Sequence, residues 1–128
     1  MSTVGVNHVS VNARDLRESV NFYVELLGAE PMPSPNFGVP VQWLAVGGTQ
    51  LHLFERDVQP PSHHHFAVTV ELPGDVVQLY LRDPAGNLLE LDQAGADRLP
   101  DDMRAALKGI WEISPQSEEN MRGRLFVP

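Results

Sequence analysis

The sequence contains no cysteine, and only 9 of its 128 residues are lysine or arginine, against 17 aspartate and glutamate residues. Without cysteine there is no disulfide framework and no thiolate metal site, so a bound metal has to be held by imidazole and carboxylate groups. The formal net charge of -8 repels phosphate backbones and anionic lipid surfaces. Nucleic acid and membranes are therefore not expected as partners.

Long apolar runs are also missing. No stretch approaches the roughly 20 apolar residues that a transmembrane helix needs, and the opening MSTVGVNHVS lacks the basic and apolar segments of a secretion signal. Together with the absence of cysteine, this predicts a cytoplasmic protein. The length of 128 residues predicts a single domain.

One helix has clear boundaries in the sequence. Asp15 followed by Glu18 predicts the start of a helix, apolar residues then recur at helical spacing, and Gly28 predicts its end. The alternation over residues 4–12 predicts a strand that is buried on both faces, with His8 directed inward. Further strands are expected at residues 41–46, 49–55, 62–70, 76–82 and 87–93.

The connections follow from glycine and proline. Gly47-Gly48 predicts a hairpin turn, and Asp83-Pro84-Ala85-Gly86 predicts a second one. Residues 31–40, with four prolines, predict a loop or an irregular sheet edge. Residues 96–128 predict a helical tail that packs on the domain or on a partner subunit.

The chain contains an internal repeat. Residues 7–11 (NHVSV) resemble residues 64–68 (HHFAV), and residues 50–53 (QLHL) resemble residues 88–91 (LLEL). The first copy places His8 and His52 on one face of its strands, and the second places His65 and Glu90 there. The second pair is 19 residues closer in sequence than the first, which indicates a lost helix or a missing segment near Val70-Glu71.

These four side chains are the candidate metal ligands. Two imidazoles and a carboxylate that converge on one point suit Fe(II), Mn, Ni or Zn and leave coordination positions open for a substrate. A single inward histidine is more often a hydrogen-bonded core residue than a ligand, but four such residues on repeated positions favour a metal site. Glu90 and His52 are also the candidate catalytic bases.

Neighbouring residues leave two alternatives open. Gln50 lies on the same face as His52, so its amide oxygen could replace that imidazole as the fourth ligand. His63 and His64 belong to a histidine run that is typical of a solvated loop, and we assign them no role. The expected walls of the substrate pocket are Gln50, Trp43, Phe54 and Tyr80.

Two segments resemble the vicinal oxygen chelate superfamily, which comprises glyoxalases, bleomycin resistance proteins and extradiol dioxygenases. NHVSVNARDLRESVNFYVELLGAE is similar to its first strand and helix, and LYLRDPAGNLLELDQ to its closing hairpin, so that the resemblance covers roughly residues 4–93. It implies an α+β fold in which two βαβββ modules form a cupped mixed sheet. The domain would span residues 1–95, with modules at 1–60 and 61–95, followed by the tail at 96–128.

The same resemblance implies a divalent ion on the four positions that His8, His52, His65 and Glu90 occupy. It also implies a homodimer, in which the first pair of ligands can come from one subunit and the second pair from the other. The expected function is that of a metal-dependent lyase or isomerase, or of a ring-cleaving dioxygenase, acting on a small substrate with adjacent oxygens. Glyoxalase I-like lyases carry a carboxylate at the position of His52, which argues against isomerisation of a glutathione hemithioacetal.

A metal-free protein that sequesters a drug-like molecule in the same cup is the alternative function. The bleomycin resistance proteins of the superfamily set this precedent. The presence of all four ligand residues argues against it.

Overall fold

The computed structural model describes residues 2–71 and 78–93. The described elements are seven strands and one helix, in the order β1 (His8–Ala13), α1 (Leu16–Leu27), β2 (Glu30–Met32), β3 (Val41–Val46), β4 (Thr49–Glu55), β5 (His65–Val70), β6 (Gln78–Arg82) and β7 (Leu88–Gln93). No helix among these residues is long and apolar enough to cross a membrane. The predicted helical tail lies outside the described residues.

Helix α1 begins and ends where the sequence predicts. The side chain of Asp15 accepts a hydrogen bond from the backbone N–H of Glu18 at 2.9 Å, which satisfies a donor that the first turn leaves free. At the other end Gly28 adopts a left-handed conformation, with φ of 63°, and its N–H donates to the carbonyl of Val24 at 3.0 Å. A glycine suits this conformation because it has no Cβ to clash with the backbone.

The first module has the βαβββ order, and its four strands form a mixed sheet in the order β1-β4-β3-β2. Strands β1 and β4 are parallel, with Ser10 opposite His52, while β3 pairs with β4 in the antiparallel direction and places Trp43 opposite His52. Residues opposite each other point to the same face of a sheet. Ser10, His52 and Trp43 therefore share one face, which we call the polar face.

The other face of this sheet packs on α1. Leu44, Leu51 and Leu53 are fully or almost fully buried there, as is Tyr23 of the helix. Burying such side chains contributes about 1.5–3 kcal/mol each. The alternation of residues along β4 thus separates a packed core from the face that carries the polar residues.

The second module repeats the arrangement without the helix. Its strands are ordered β5-β7-β6, so the strand that begins with a histidine again lies at an edge, beside the strand that carries the second candidate ligand. Only seven residues separate β5 from β6, too few for a helix as long as α1. The predicted two-module α+β fold, with a second module that is short of its helix, is confirmed. The two alternatives for the short module, a lost helix or a missing segment near Val70-Glu71, stay predictions, because residues 72–77 lie outside the described residues.

Two predictions about the first strand are wrong. Strand β1 starts at His8, four residues later than predicted, and Val4 and Val6 are exposed because no strand pairs with them. His8 is also exposed rather than directed into a core. The alternation of residues correctly separates the two faces of the strand, but only the face toward α1 is covered by other residues.

Two packing units divide the chain. The first comprises Met1–Ala67 and Tyr80–Glu90 and contains all four candidate ligands. The second includes the far ends of β5 and β7, where Val68 and Val70 are half-buried and Leu91 and Asp92 are buried.

Candidate metal-binding site

The first pair of candidate ligands forms part of a stack of three aromatic rings. The imidazole of His52 lies between His8, with ring centroids 4.2 Å apart and planes at 12°, and Trp43, with centroids 4.1 Å apart and planes at 5°. The strand register produces this stack because it places Trp43 directly opposite His52. Both predicted ligands of the first module are thus brought together.

Hydrogen bonds orient these two imidazoles. Nδ1 of His8 lies 2.8 Å from Oδ1 of Asn7, and Nε2 of His52 lies 2.9 Å from Oε1 of Gln50. If each amide oxygen accepts an N–H, the other nitrogen of each neutral ring is left with a lone pair that can bind a metal. Gln50 therefore acts here as a partner of His52, a different role from the alternative ligand considered from the sequence.

His52 is kept neutral by its surroundings. Burial lowers the pKa of His52, and the nearby His8 lowers it further because a second positive charge would be unfavourable. The neutral form is the one that binds metal ions. Its electrostatic environment is thus suitable for a ligand.

The second pair consists of His65 and Glu90. Nε2 of His65 lies 2.9 Å from Oε2 of Glu90, and the carboxylate is almost completely buried while the imidazole is partly exposed. Nδ1 of His65 lies 3.1 Å from the carbonyl oxygen of His63, which can only accept, so Nδ1 carries the proton. In a neutral His65 the lone pair of Nε2 therefore faces the carboxylate.

That spacing allows a chemical test of whether a metal fits. Two donors bound at about 2.1 Å each and at right angles lie about 3.0 Å apart, close to the observed distance between His65 and Glu90. The donor set of three imidazoles and one carboxylate also suits Fe, Mn, Ni or Zn. The residues fit a divalent ion, although an ion pair with a protonated His65 would have the same spacing.

The two pairs do not form one cluster within a chain. Among residues 2–71 and 78–93, no group of three or more histidine and acidic side chains is placed to hold a metal ion. The sequence predicted convergence of all four. The structure of one chain brings them together two by two.

The predicted pocket walls divide in the same way. Trp43 and Phe54 lie beside the first pair, and Phe37 from the proline-rich loop joins them, with ring centroids 6.3 and 5.7 Å from theirs. Tyr80 instead contacts His65 edge to face at 5.8 Å. Sequence reasoning missed Phe37, because its loop has no periodicity from which a direction could be read.

A second buried cluster was also missed. The hydroxyl of Tyr23 donates to Oδ2 of Asp83 at 2.8 Å, and Asp83 also accepts the backbone and side-chain N–H groups of Asn87 at 2.8 and 2.7 Å. The side chain of Asn87 further donates to the carbonyl of Asn12 at 2.7 Å. The cluster ties the turn before β7 to α1 and β1, and the DPxGN turn was its signal in the sequence.

Comparisons with known proteins support the fold. The sequence model of the Glyoxalase/Bleomycin resistance protein/Dioxygenase superfamily matches residues 5–82, a stretch that includes His8, His52 and His65 and ends before Glu90. A curated relative is the mitochondrial methylmalonyl-CoA epimerase of Bos taurus, 41% identical over 51 residues. That match covers 38% of this chain and 29% of the epimerase, so it spans less than a third of the relative.

Solved structures agree over a larger share of the chain. A glyoxalase family protein from Bacillus anthracis is 24% identical, with a TM-score of 0.63, and the match covers 73% of this chain and 97% of that one. A variant of the fosfomycin resistance protein FosX from Listeria monocytogenes, complexed with Mn(II) and 1S,2S-dihydroxypropylphosphonic acid, is 15% identical with the same TM-score. Its match covers 75% of this chain and 96% of the FosX chain. At these identities the likeness shows the fold.

Proposed function

Because the chain belongs to the glyoxalase, bleomycin resistance protein and dioxygenase superfamily, we propose that it is a divalent-metal-dependent enzyme whose small substrate binds through two adjacent oxygens. His8 and His52 of one copy and His65 and Glu90 of a second copy hold the ion in a homodimer. The metal is Fe, Mn, Ni or Zn, and Glu90 and His52 are the candidate catalytic bases. The observation that carries the proposal is the pair formed by His65 and Glu90.

A buried carboxylate needs a cation or hydrogen-bond donors to offset its lost hydration. At Glu90 the nearest imidazole nitrogen is Nε2 of His65, at 2.9 Å, while Nδ1 of His65 is directed to the carbonyl of His63. In the neutral form of His65 the lone pair of Nε2 and the carboxylate repel each other at this distance, whereas a metal ion beside both would attract them. The contact supports a cation site for this form of His65.

A shared site would explain why the pairs are separate and why one histidine of each pair is exposed. Strands β1 and β5 lie at the ends of their sheets, and each begins with a candidate ligand, His8 or His65, that is exposed in the single chain. A second copy packed against the polar faces would bury both histidines and complete two equivalent sites. Such an interface repeats the same patch on both subunits, as two-fold symmetric dimers require.

A bound divalent ion supplies Lewis acidity that stabilises the negative charge developing on substrate oxygens. The chain itself supplies the wall of Trp43 and Phe54, the oriented neutral imidazole of His52, and the carboxylate of Glu90. To act as a base, Glu90 would have to loosen from the metal before it accepts a proton from a bound substrate. These residues favour proton transfer, as in a lyase, an epimerase or another isomerase. With four protein ligands, fewer positions remain for both a catecholate and dioxygen, so ring cleavage ranks lower.

The first prediction concerns metal binding. Protein purified without a polyhistidine tag should bind one divalent ion per site in calorimetry, and His65→Ala should weaken the affinity at least about 100-fold because a ligand is removed. His64→Ala is the matched control, since it removes an imidazole from the same histidine run but leaves the contact with Glu90. Equal losses in both variants would mean that the run binds metal adventitiously.

The reconstituted protein also decides between the reaction classes. In deuterated water, proton transfer labels the carbon next to the carbonyl of a thioester or a keto substrate, which NMR detects. Ring cleavage instead consumes dioxygen when a catechol is supplied, which an oxygen electrode detects under otherwise identical conditions. Activity in neither assay leaves metal binding intact but removes support for these two reactions.

A metal-free binding protein is the second candidate, and the aromatic cluster favours it. Phe37, Trp43 and Phe54 already form a wall on which a flat apolar ligand could pack. This function predicts that no divalent ion binds at stoichiometric level and that His65→Ala leaves ligand affinity unchanged.

A further inference from the structure

Beyond the stacked imidazoles, the polar face of the first sheet continues to a small cavity of about 190 Å³. The register places Asn12 opposite Phe54, two residues along from Ser10 and His52, and Arg56 follows two residues later. The cavity is lined by Ser10, Val11, Asn12, Phe54 and Arg56. No role has been given to it so far.

Arg56 is exposed, its backbone is bonded to the end of β1, and its guanidinium lies over an aromatic ring. Its backbone N–H donates to the carbonyl of Ala13 at 2.9 Å, and its guanidinium lies over the ring of Phe54, 5.4 Å from the centroid. Within residues 2–71 and 78–93, no carboxylate forms an ion pair with it.

The cavity itself offers donors and no competing charge. Its lining residues include Ser10 and Asn12, whose side chains carry a hydroxyl and an amide, and none of them is acidic. A second cavity of about 520 Å³ at the start of α1 provides a contrast, because Arg17 there is accompanied by Asp15 and Glu55. The lining of the cavity at Arg56, in contrast, combines a guanidinium with residues that carry no carboxylate.

We propose that this cavity, which we call the Arg56 subsite, binds an acidic group of the substrate, a carboxylate or a phosphonate. Guanidinium groups bind both through charge-assisted hydrogen bonds. Arg56 follows the end of β4, four residues and about 13 Å of extended chain after His52, and the cavity reaches back to Ser10, which lies opposite His52. The ring of Phe54 lies under the guanidinium, so an apolar segment next to the acidic group can pack on it.

The anion-binding property is independent of the metal, whereas its assignment to the substrate rests on the proposed function. The substrate class is therefore an acid with an apolar middle segment and two adjacent oxygens at the far end. Arg56 would act by selecting and orienting this molecule. It would take no part in bond making or breaking.

The test is an NMR titration of metal-free isotope-labelled protein with methylphosphonate and, separately, propionate. The expected result is saturable shifts of the Arg56 side-chain N–H and of the Asn12 and Phe54 signals. Arg56→Gln should raise the dissociation constant at least about tenfold, and Arg56→Lys should raise it less. Arg17→Gln is the matched control, with the same loss of charge and an expected unchanged affinity.

Shifts that persist in Arg56→Gln, that are equally reduced in Arg17→Gln, or that never saturate would overturn the subsite. Neutral dimethyl methylphosphonate should cause none of these shifts. The outcome is separable from that of the proposed function. Anion binding without stoichiometric metal binding would support the Arg56 subsite and contradict the proposed enzyme function. Stoichiometric metal binding without anion binding would support the enzyme function and contradict the subsite.

Discussion

At the scale of single residues, Tyr23 shows how one buried hydroxyl stabilises a distant turn. The side chain is fully buried in α1, and burial together with the charge of Asp83 raises the pKa of Tyr23 far above its usual range. The hydroxyl therefore stays protonated and donates to the carboxylate of Asp83. The apolar spacing that predicts α1 accounts for the burial of the Tyr23 ring, but it does not account for the hydroxyl.

We expect Tyr23→Phe to lower the free energy of unfolding by about 1–3 kcal/mol, because a buried carboxylate loses one of its donors. Urea denaturation followed by circular dichroism measures the change. In an Asp83→Asn background the same substitution should cost clearly less, since the acceptor is no longer charged. Equal costs in the two backgrounds would show that the hydroxyl and the carboxylate are not coupled.

The candidate ligands show what residue types alone can predict. The internal repeat and the alternation along β1, β4, β5 and β7 pointed to His8, His52, His65 and Glu90 and paired them within each repeat, and their role as ligands stays a prediction. It was not sufficient to predict that the pairs remain apart in one chain, because convergence depends on how modules or subunits pack. The stack with Trp43 was also not predictable, since it requires the register between β3 and β4.

At the scale of secondary structure elements, local signals determined the accuracy of the predictions. Helix α1 was predicted with its correct ends because a side-chain cap and a left-handed glycine act within a few residues. The start of β1 was predicted too early because a strand needs a partner, and pairing with β4 begins only at His8. The turn at residues 83–86 was predicted correctly from proline and glycine.

The same turn supports a prediction for Gly86→Ala. Gly86 has φ of 93°, a conformation that alanine adopts only with strain, so we expect a loss of about 1–3 kcal/mol in the free energy of unfolding. An added Cβ would lie 3.4 Å from Pro60, an ordinary contact, so the cost comes from the backbone. Thermal and urea unfolding of the purified variant measure it.

Gly48→Ala is the control for this prediction. It lies in the other hairpin turn, has no positive φ, and an added Cβ would meet no atom within 4 Å. Its effect should stay within about 0.5 kcal/mol. If the two alanine variants were equally stable, backbone strain at Gly86 would not be the cause of any loss.

At the scale of the whole molecule, the separation of the ligand pairs leads to a prediction about subunits. A heterodimer of one His8→Ala/His52→Ala subunit and one His65→Ala/Glu90→Gln subunit, isolated through two different tags without histidine, should bind one metal ion. One of its two shared sites has all four ligands and the other has none. Each mutant homodimer should bind none at this affinity.

The same heterodimer distinguishes a metal site within one chain from a site that two subunits share. If all four ligands came from a single chain, every subunit in the heterodimer would lack a pair, and metal binding would not be restored. Analytical ultracentrifugation of the unmutated protein provides the control, since a shared site requires a dimer at the concentrations used for calorimetry.

The stack of Trp43, His52 and His8 has a thermodynamic consequence for any ligand that reaches His52. With a ring against each face, the imidazole cannot turn about its bond to Cβ without breaking both contacts. Its torsional freedom is therefore lost when the chain folds, and little remains to be lost when a ligand arrives. Part of the conformational entropy that His52 would lose on binding a ligand is thus lost on folding instead. Burial of the apolar core between the sheet and α1 offsets this loss.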